Sequence, residues 1–388
     1  MRNLVLVMIA IFWASCAHKN QDVKNQSVEV VATPKVLDEK NIDIDVREKI
    51  HTIWEQYFKE DFNESRSINL FVATNRKLKS PYFGCSNQYF GIENEDTATY
   101  RLGVCKINVP KDHSTGEIEF SSDLKSNSHK YYKVIGNQSL TDQQFLDSIK
   151  KTKRIPLIFV HGFNVKFQDA VLRASQLAYD LKYQGPVILF SWPSGSGDGF
   201  LDDKMINKTY EANQKSAKES IVIFKSFIKK FMDLSVPLNL YVHSMGHQVV
   251  IPALAELGAL PPIEKKYINE LILNAPDYAI ADFAREISFL SNVSKRITMY
   301  CSYNDKAMVA SQSFNKNARL GACGSFDGVD TINVSEVDDK TFGLGHSYYS
   351  HRAVLTDVFQ VLLGIEADNR LFIKKSWPNG AEKYFLRN

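Results

Sequence analysis

The chain has 388 residues, 44% of them apolar, and a formal net charge of +3 from 47 basic and 44 acidic side chains. That length and apolar share suffice for one large domain and a smaller region, each with a core. The near-balance of charge, with no run of one sign, gives no basis for a nucleic-acid partner, and no repeat of fixed period points to a solenoid.

Met1-Arg2-Asn3 is a short basic start, and Leu4 to Trp13 (LVLVMIAIFW) is an apolar run of 10 residues. Such a run is too short to cross ~30 Å of hydrocarbon as a stable anchor, but it fits the apolar region of a secretory signal. Trp13-Ala14-Ser15-Cys16 resembles a bacterial lipobox, which implies that Cys16 is lipidated and becomes the first mature residue. Trp13 stands where Leu is usual, which leaves plain secretion as the other reading. Ala17 rather than Asp after the cysteine favours, by analogy with lipoprotein sorting, the outer membrane facing the periplasm. The expected organisation is a signal peptide at 1–16, a polar tether at 17–45, an N-terminal helix and β-rich region at 46–150, an α/β domain at 151–365 and a C-terminal tail at 366–388.

Val46, Ile50, Ile53, Trp54 and Tyr57 recur at helical spacing. From Ile68 the pattern turns extended, in "INLFVATNRK" and again over Leu102 to Val109. Residues 121–150 are polar and read as loop, with a short helix near Asp142 to Lys150. Export leaves Cys85, Cys105, Cys301 and Cys323 in an oxidising compartment. Three pairings are open; the local ones, Cys85–Cys105 and Cys301–Cys323, are the simplest, and four buried thiols are the alternative. No C-x-x-C or paired-His spacing suggests zinc.

From Ile155 short continuous apolar runs alternate with helical stripes. The runs are "IPLIFV", "PVILF", "PLNLYV", "ELILN", "ITMYC" and "VDTINV". They read as strands buried on both faces. Strand–helix alternation predicts an α/β fold with a mostly parallel sheet and helices on both faces. Chemistry in such sheets sits just beyond the carboxyl ends of strands. Those ends carry His161-Gly162-Phe163-Asn164, His243-Ser244-Met245-Gly246, Ala275-Pro276-Asp277, Ser302-Tyr303-Asn304-Asp305 and, after the last run, Gly345-His346.

Ser, Asp and His thus appear in the chain order of an α/β-hydrolase triad. A serine hydroxyl is a weak nucleophile at neutral pH and needs a base within hydrogen-bond reach. Histidine suits that task, and a carboxylate must fix its tautomer. A tetrahedral oxyanion needs preorganised N–H donors, for which Phe163 and Met245 are the expected pair. "VHSMG" lacks the first glycine of G-x-S-x-G, since Val242 stands there. That substitution predicts a slightly opened elbow or a compensating small neighbour.

The segments "IFVHGFNVKFQDAVLRASQLAYDL", "VILFSWPS", "YVHSMGHQ", "LILNAPD", "YCSYNDKAM" and "GHSYY" together resemble a bacterial α/β-hydrolase family catalogued as a domain of unknown function. The resemblance spans roughly residues 68 to 362. It implies the α/β-hydrolase fold and a serine-hydrolase site, with Ser244 as nucleophile, Asp305 as acid and His346 as base. It supplies no substrate. Bland readings stand beside these: Ser244 a strand-end serine, Asp305 a helix cap, His346 structural with His351 its nearest substitute. Asp277 is the rival acid. His243 is expected to pack beside the elbow and His161 to support the oxyanion turn.

Asp198, Asp202 and Asp203 hint at calcium, but the 12-residue loop pattern is absent, so a flexible loop or lid is expected there. Trp192, Phe163, Phe200, Tyr348 and Tyr349 are candidates for an apolar acyl pocket. The expectation is a lipid-anchored envelope esterase that acts on small-molecule or lipid esters, with no metal or organic cofactor. An acyltransferase with the same triad and a non-catalytic envelope binding protein are the alternatives.

Overall fold

The computed structural model describes residues 66–387 apart from 96–98, 122, 124–125, 197–202, 261–264, 338–344 and 376–383. The signal segment, Cys16, the tether, the helix expected over 46–57, Phe200, Asp198 and Asp202 lie outside the described residues.

All six continuous apolar runs are strands: β6 (Leu157–Val160), β7 (Val187–Ser191), β8 (Leu238–His243), β9 (Ile268–Asn274), β10 (Ser294–Cys301) and β11 (Val329–Asn333). Each pairs in parallel with its sheet neighbours among them, in the order β7-β6-β8-β9-β10-β11. Their burial on both faces explains the missing alternation. Along β8, Leu240 and Val242 face one core while Tyr241 faces the other.

Helices cover both faces. α1 (Asp142–Lys151), α3 (Asp203–Asp233), α4 (His247–Gly258) and α5 (Ile280–Val293) send side chains into the first core, whereas α2 (Phe167–Asp180) and α7 (Arg352–Leu362) send theirs into the second. α6 (Lys306–Asn315) follows β10. α1 starts on a reciprocal capping box: Gln144 N donates to Thr141 Oγ1 (3.3 Å) and Thr141 N to Gln144 Oε1 (3.0 Å). Among the described residues no helix is long and apolar enough to cross a membrane.

The flanks depart from the sequence reading. β1 (Ser67–Thr74) lies parallel to β7 and antiparallel to β4 (Arg101–Asn108), so the N-terminal β-region continues the main sheet. β5 (Lys133–Leu140), in a stretch expected to be loop, extends it again, antiparallel to β4. Its sequence KVIGNQSL buries nothing fully, because an edge strand gains its order from one ladder of backbone bonds and needs no apolar face. A short hairpin of β2 (Arg76–Leu78) and β3 (Phe90–Asn94) stands beside the sheet. The expected C-terminal tail also joins: β13 (Tyr384–Leu386) pairs parallel to β11, and β12 (Ile373–Lys375) antiparallel to β13. Among the described residues the result is an 11-stranded sheet.

Both local cysteine pairs are disulfides, Cys85–Cys105 and Cys301–Cys323. The first ties the β2–β3 connection to β4; the second closes the segment from the end of β10 past α6. Such bonds fit an oxidising compartment.

Candidate active site

The turn after β8 is a strained elbow. Ser244 has φ 52°, a left-handed conformation uncommon for a residue with a side chain. Its carbonyl is held by three donors: the His247 backbone N–H, His247 Nδ1–H at 2.6 Å and Asp277 N–H at 3.3 Å. Burial pulls the His247 imidazole down to about 3, so the ring stays neutral with its proton on Nδ1.

Two glycines make the turn possible. A Cβ on Gly246 would lie 2.6 Å from the His161 carbonyl oxygen, and one on Gly162 would lie 2.7 Å from Ser244 Cβ. The Val242 side chain needs no such gap, because it is wholly buried in the core on the α4 face. The crowded position of this elbow is therefore Gly246, which the sequence retains.

His346, the expected base, lies in the loop before α7. Ser244 Oγ–H donates to His346 Nε2 at 2.8 Å, and His346 Nδ1–H donates to Asp305 Oδ2 at 2.7 Å. A carboxylate can only accept, so this contact puts the imidazole proton on Nδ1. Asp305 also caps α6, through Oδ1 and the Met308 N–H (3.0 Å). One carboxylate thus reaches both the His346 ring and the start of α6, one with each oxygen. Its loop is braced by Tyr303 N–H to Ser335 Oγ (2.9 Å) and Asn304 Nδ2 to Ser335 O (2.8 Å), and Cys301–Cys323 anchors its root.

Asp277, the rival acid, is committed elsewhere. It accepts from Arg319 Nε (2.7 Å), Ser311 Oγ (2.5 Å) and Tyr210 OH (2.7 Å) and is almost fully buried. His351, the substitute base, is the N-cap residue of α7. His243 packs beside the elbow: its ring stacks on Tyr349 at 3.7 Å and Nε2–H donates to the His346 carbonyl at 3.3 Å. Burial, followed by the His346 charge, holds it well below the usual imidazole range.

The loop after β6 runs against the elbow. Gly162 abuts Ser244, so the loop that carries Phe163 runs alongside the elbow that carries Met245. The half-buried Phe163 ring packs on Tyr210 (5.5 Å), and Asn164 takes φ 55°. His161 lies below, pushed down to about 3 by burial and then by Arg76. Trp192 stacks on it and donates Nε1–H to its carbonyl at 2.8 Å.

Of the aromatics expected to line an acyl pocket, Trp192, Tyr348 and Tyr349 are core side chains, with Tyr348 OH donating to Tyr300 O at 3.2 Å. A cavity of about 450 Å³ does exist, lined by Leu78, Phe83, Tyr100, Leu140 and neighbours. It shares no residue with the Ser244 cluster, and its lining holds no nucleophile–base pair. Among the described residues no group of three His, Cys, Asp or Glu side chains is placed to hold a metal ion.

Two residues of this site escaped the sequence reading. Arg76 follows an apolar run with nothing local to mark it as buried. Asn213 carried a signal: it shares the α3 stripe of Tyr210, Ala217, Ser220 and Phe224, where a polar side chain needs buried partners. A family model described as alpha/beta hydrolase of unknown function (DUF900) matches residues 138–365, more than half of the chain. No curated protein matches the chain.

Proposed function

We propose that this chain, which belongs to the α/β-hydrolase family of unknown function, is a serine hydrolase that cleaves carboxylic esters through an acyl-enzyme. The observation that carries the reading is the continuous hydrogen-bond chain Ser244 Oγ, His346, Asp305, at 2.8 and 2.7 Å. Those distances match what a nucleophile, its base and the base's orienter require, and they favour catalysis over a scaffold that only binds.

In this reading Ser244 Oγ attacks the ester carbonyl while His346 Nε2 takes its proton. Asp305 keeps the imidazole in the tautomer that can do so and stabilises the imidazolium. The N–H groups of Phe163 and Met245 receive the tetrahedral oxyanion. His346 then gives the proton to the departing alkoxide, which leaves as an alcohol and the acyl-enzyme remains. Water, deprotonated by the same histidine, attacks the acyl carbon, and collapse returns Ser244 and releases the acid.

The substrate class is a small-molecule or lipid ester. Lipidation at Cys16 would tether the enzyme to an envelope membrane, which would suit esters in or near a bilayer. A fluorophosphonate probe should label the native protein, and Ser244→Ala should abolish the labelling; label that persists in the variant removes Ser244 from the role. Turnover of esters of graded acyl length, with and without an added alcohol, then reads the pocket. New ester in place of acid would make the protein an acyltransferase instead.

A further inference from the structure

Arg76, the first residue of β2, has no exposed surface. Each of its five N–H groups meets an acceptor. Nε–H donates to Ser191 Oγ (2.8 Å). One terminal nitrogen donates to Gly91 O (3.1 Å) and Ser194 O (2.7 Å). The other donates to His161 Nε2 (3.3 Å) and Val165 O (2.8 Å). All five acceptors are neutral. Burial pulls the guanidinium down to about 9, partly offset by Asp169, which leaves it cationic at neutral pH.

The acceptors are distributed to a purpose. His161 and Val165 bracket the segment that contains Gly162 and Phe163, while Ser191 ends β7 and Ser194 lies in the loop that follows it. Asn213 of α3 closes the arrangement from the other side. Its Oδ1 accepts from Asn164 N–H (3.1 Å), Gly195 N–H (3.1 Å) and Ser194 Oγ–H (2.8 Å). The segment itself is pliable, since it holds a glycine and a left-handed asparagine. Burying an unpaired cation is costly, and core packing alone would be served by an apolar side chain.

The geometry points to Arg76 as a positioning residue of the active site: it fixes residues 161–165 so that the Phe163 N–H is held toward the oxyanion before the reaction starts. This rests on the reading of Ser244 as the nucleophile. Preorganised donors matter because they need not reorient as charge develops, and losing one costs about 10²–10³ in rate. The inference also gives the N-terminal strands a catalytic task, since they deliver Arg76 from outside the segment matched by the family model.

The test uses the full chain with Arg76→Met and Arg76→Lys, p-nitrophenyl butyrate, a fluorophosphonate, and hydrogen exchange over residues 161–165. In folded Arg76→Met, kcat and the phosphonylation rate should fall about 10²-fold with KM nearly unchanged, as for a contact made only in the transition state. Exchange should rise in 161–165 but not in β8 to β10. Arg76→Lys, which keeps the stem and charge, should recover roughly a tenth of the native rate.

A native rate in a folded variant, or a drop matched by an equal rise in KM, overturns the proposal. Should Arg76→Met fail to fold, Arg76→Lys alone decides: full rate with unchanged exchange overturns it, and a slowed rate with faster exchange supports it. A native protein that the fluorophosphonate does not label refutes the nucleophile reading, and with it the oxyanion role of Arg76. Unchanged exchange refutes the positioning even where Ser244 is labelled.

Discussion

Asp305 shows how one side chain can be tested for two roles. Its Oδ2 accepts from His346 and its Oδ1 caps α6. Asn is as good a cap as Asp, whereas Ala loses about 1 kcal/mol. Asp305→Asn should therefore keep the native melting temperature while kcat falls about 10⁴-fold, because an amide can hold the wrong imidazole tautomer. Asp305→Ala should lose both rate and stability. Equal melting shifts in the two variants would remove the cap from the account. Ser244 and Asp305 drew notice in the sequence because each closely follows an apolar run, and His346 because it lies in the loop beyond the last one. Arg76 did not, because its acceptors come from distant segments. The donors that hold the Ser244 carbonyl include Asp277 N–H, 33 positions along the chain and on another strand end.

At the scale of elements, the acid loop and α6 form a covalently closed unit. Cys301–Cys323 joins residues 22 apart, and closing a loop of that length stabilises by about 3 kcal/mol in the chain-entropy account. Cys301→Ala with Cys323→Ala should lower the melting temperature, and reductant should then lose its effect on melting through this bond. A variant that melts like the native protein would show the closure to be idle.

The connection between β4 and β5 is latched onto α2 by His113, which lies between Asp180 (2.8 Å) and Glu119 (2.9 Å), with Tyr132 and Tyr179 edge-on and Arg173 reaching Gly116 O. Burial lowers the His113 value, but the bonds to Asp180 and then Glu119 outweigh it and leave the imidazole above its ordinary range. A raised histidine contributes fully below its unfolded value of about 6.5 and loses that contribution as pH rises through the folded one. Asp180 is lowered, burial opposing and the His113 bond prevailing, so its contribution is lost only as pH falls through the acid range. Protection of the Gly116 amide, bonded to Asp180 Oδ2 at 2.8 Å, should therefore fall as pH rises above about 6.5. Protection that is flat with pH would contradict the latch. Elements such as β5 stayed hidden in the sequence because an exposed edge strand carries no apolar period to read.

For the whole molecule, the segment matched by the family model, 138–365, is less than the folded unit. It omits β1 and β4, which cover the outer side of β7, and the strands that cover β11. It also omits Arg370, whose guanidinium donates at 3.1 Å to the buried Asp357, itself bonded to Tyr300 OH at 2.6 Å. Removing one partner of a buried pair is strongly destabilising, by about 3–5 kcal/mol. A chain cut to 138–365 should be insoluble or unlabelled by a fluorophosphonate, and soluble, labelled protein from that segment would contradict this. The six central strands were readable because burial on both faces makes them uniformly apolar. Of the flanking strands, β1 and β4 also read as extended, whereas β5, β12 and β13 did not, because their order is lent by the sheet they join.

The position of β13 has a consequence for association between molecules. Residues 384–386 lie beside β11, which pairs with the strand that leads into the Asp305 loop. Without β13, that flank of β11 would present bare N–H and C=O groups, a template on which another chain adds a strand. Loss of β13 should therefore appear as concentration-dependent aggregation.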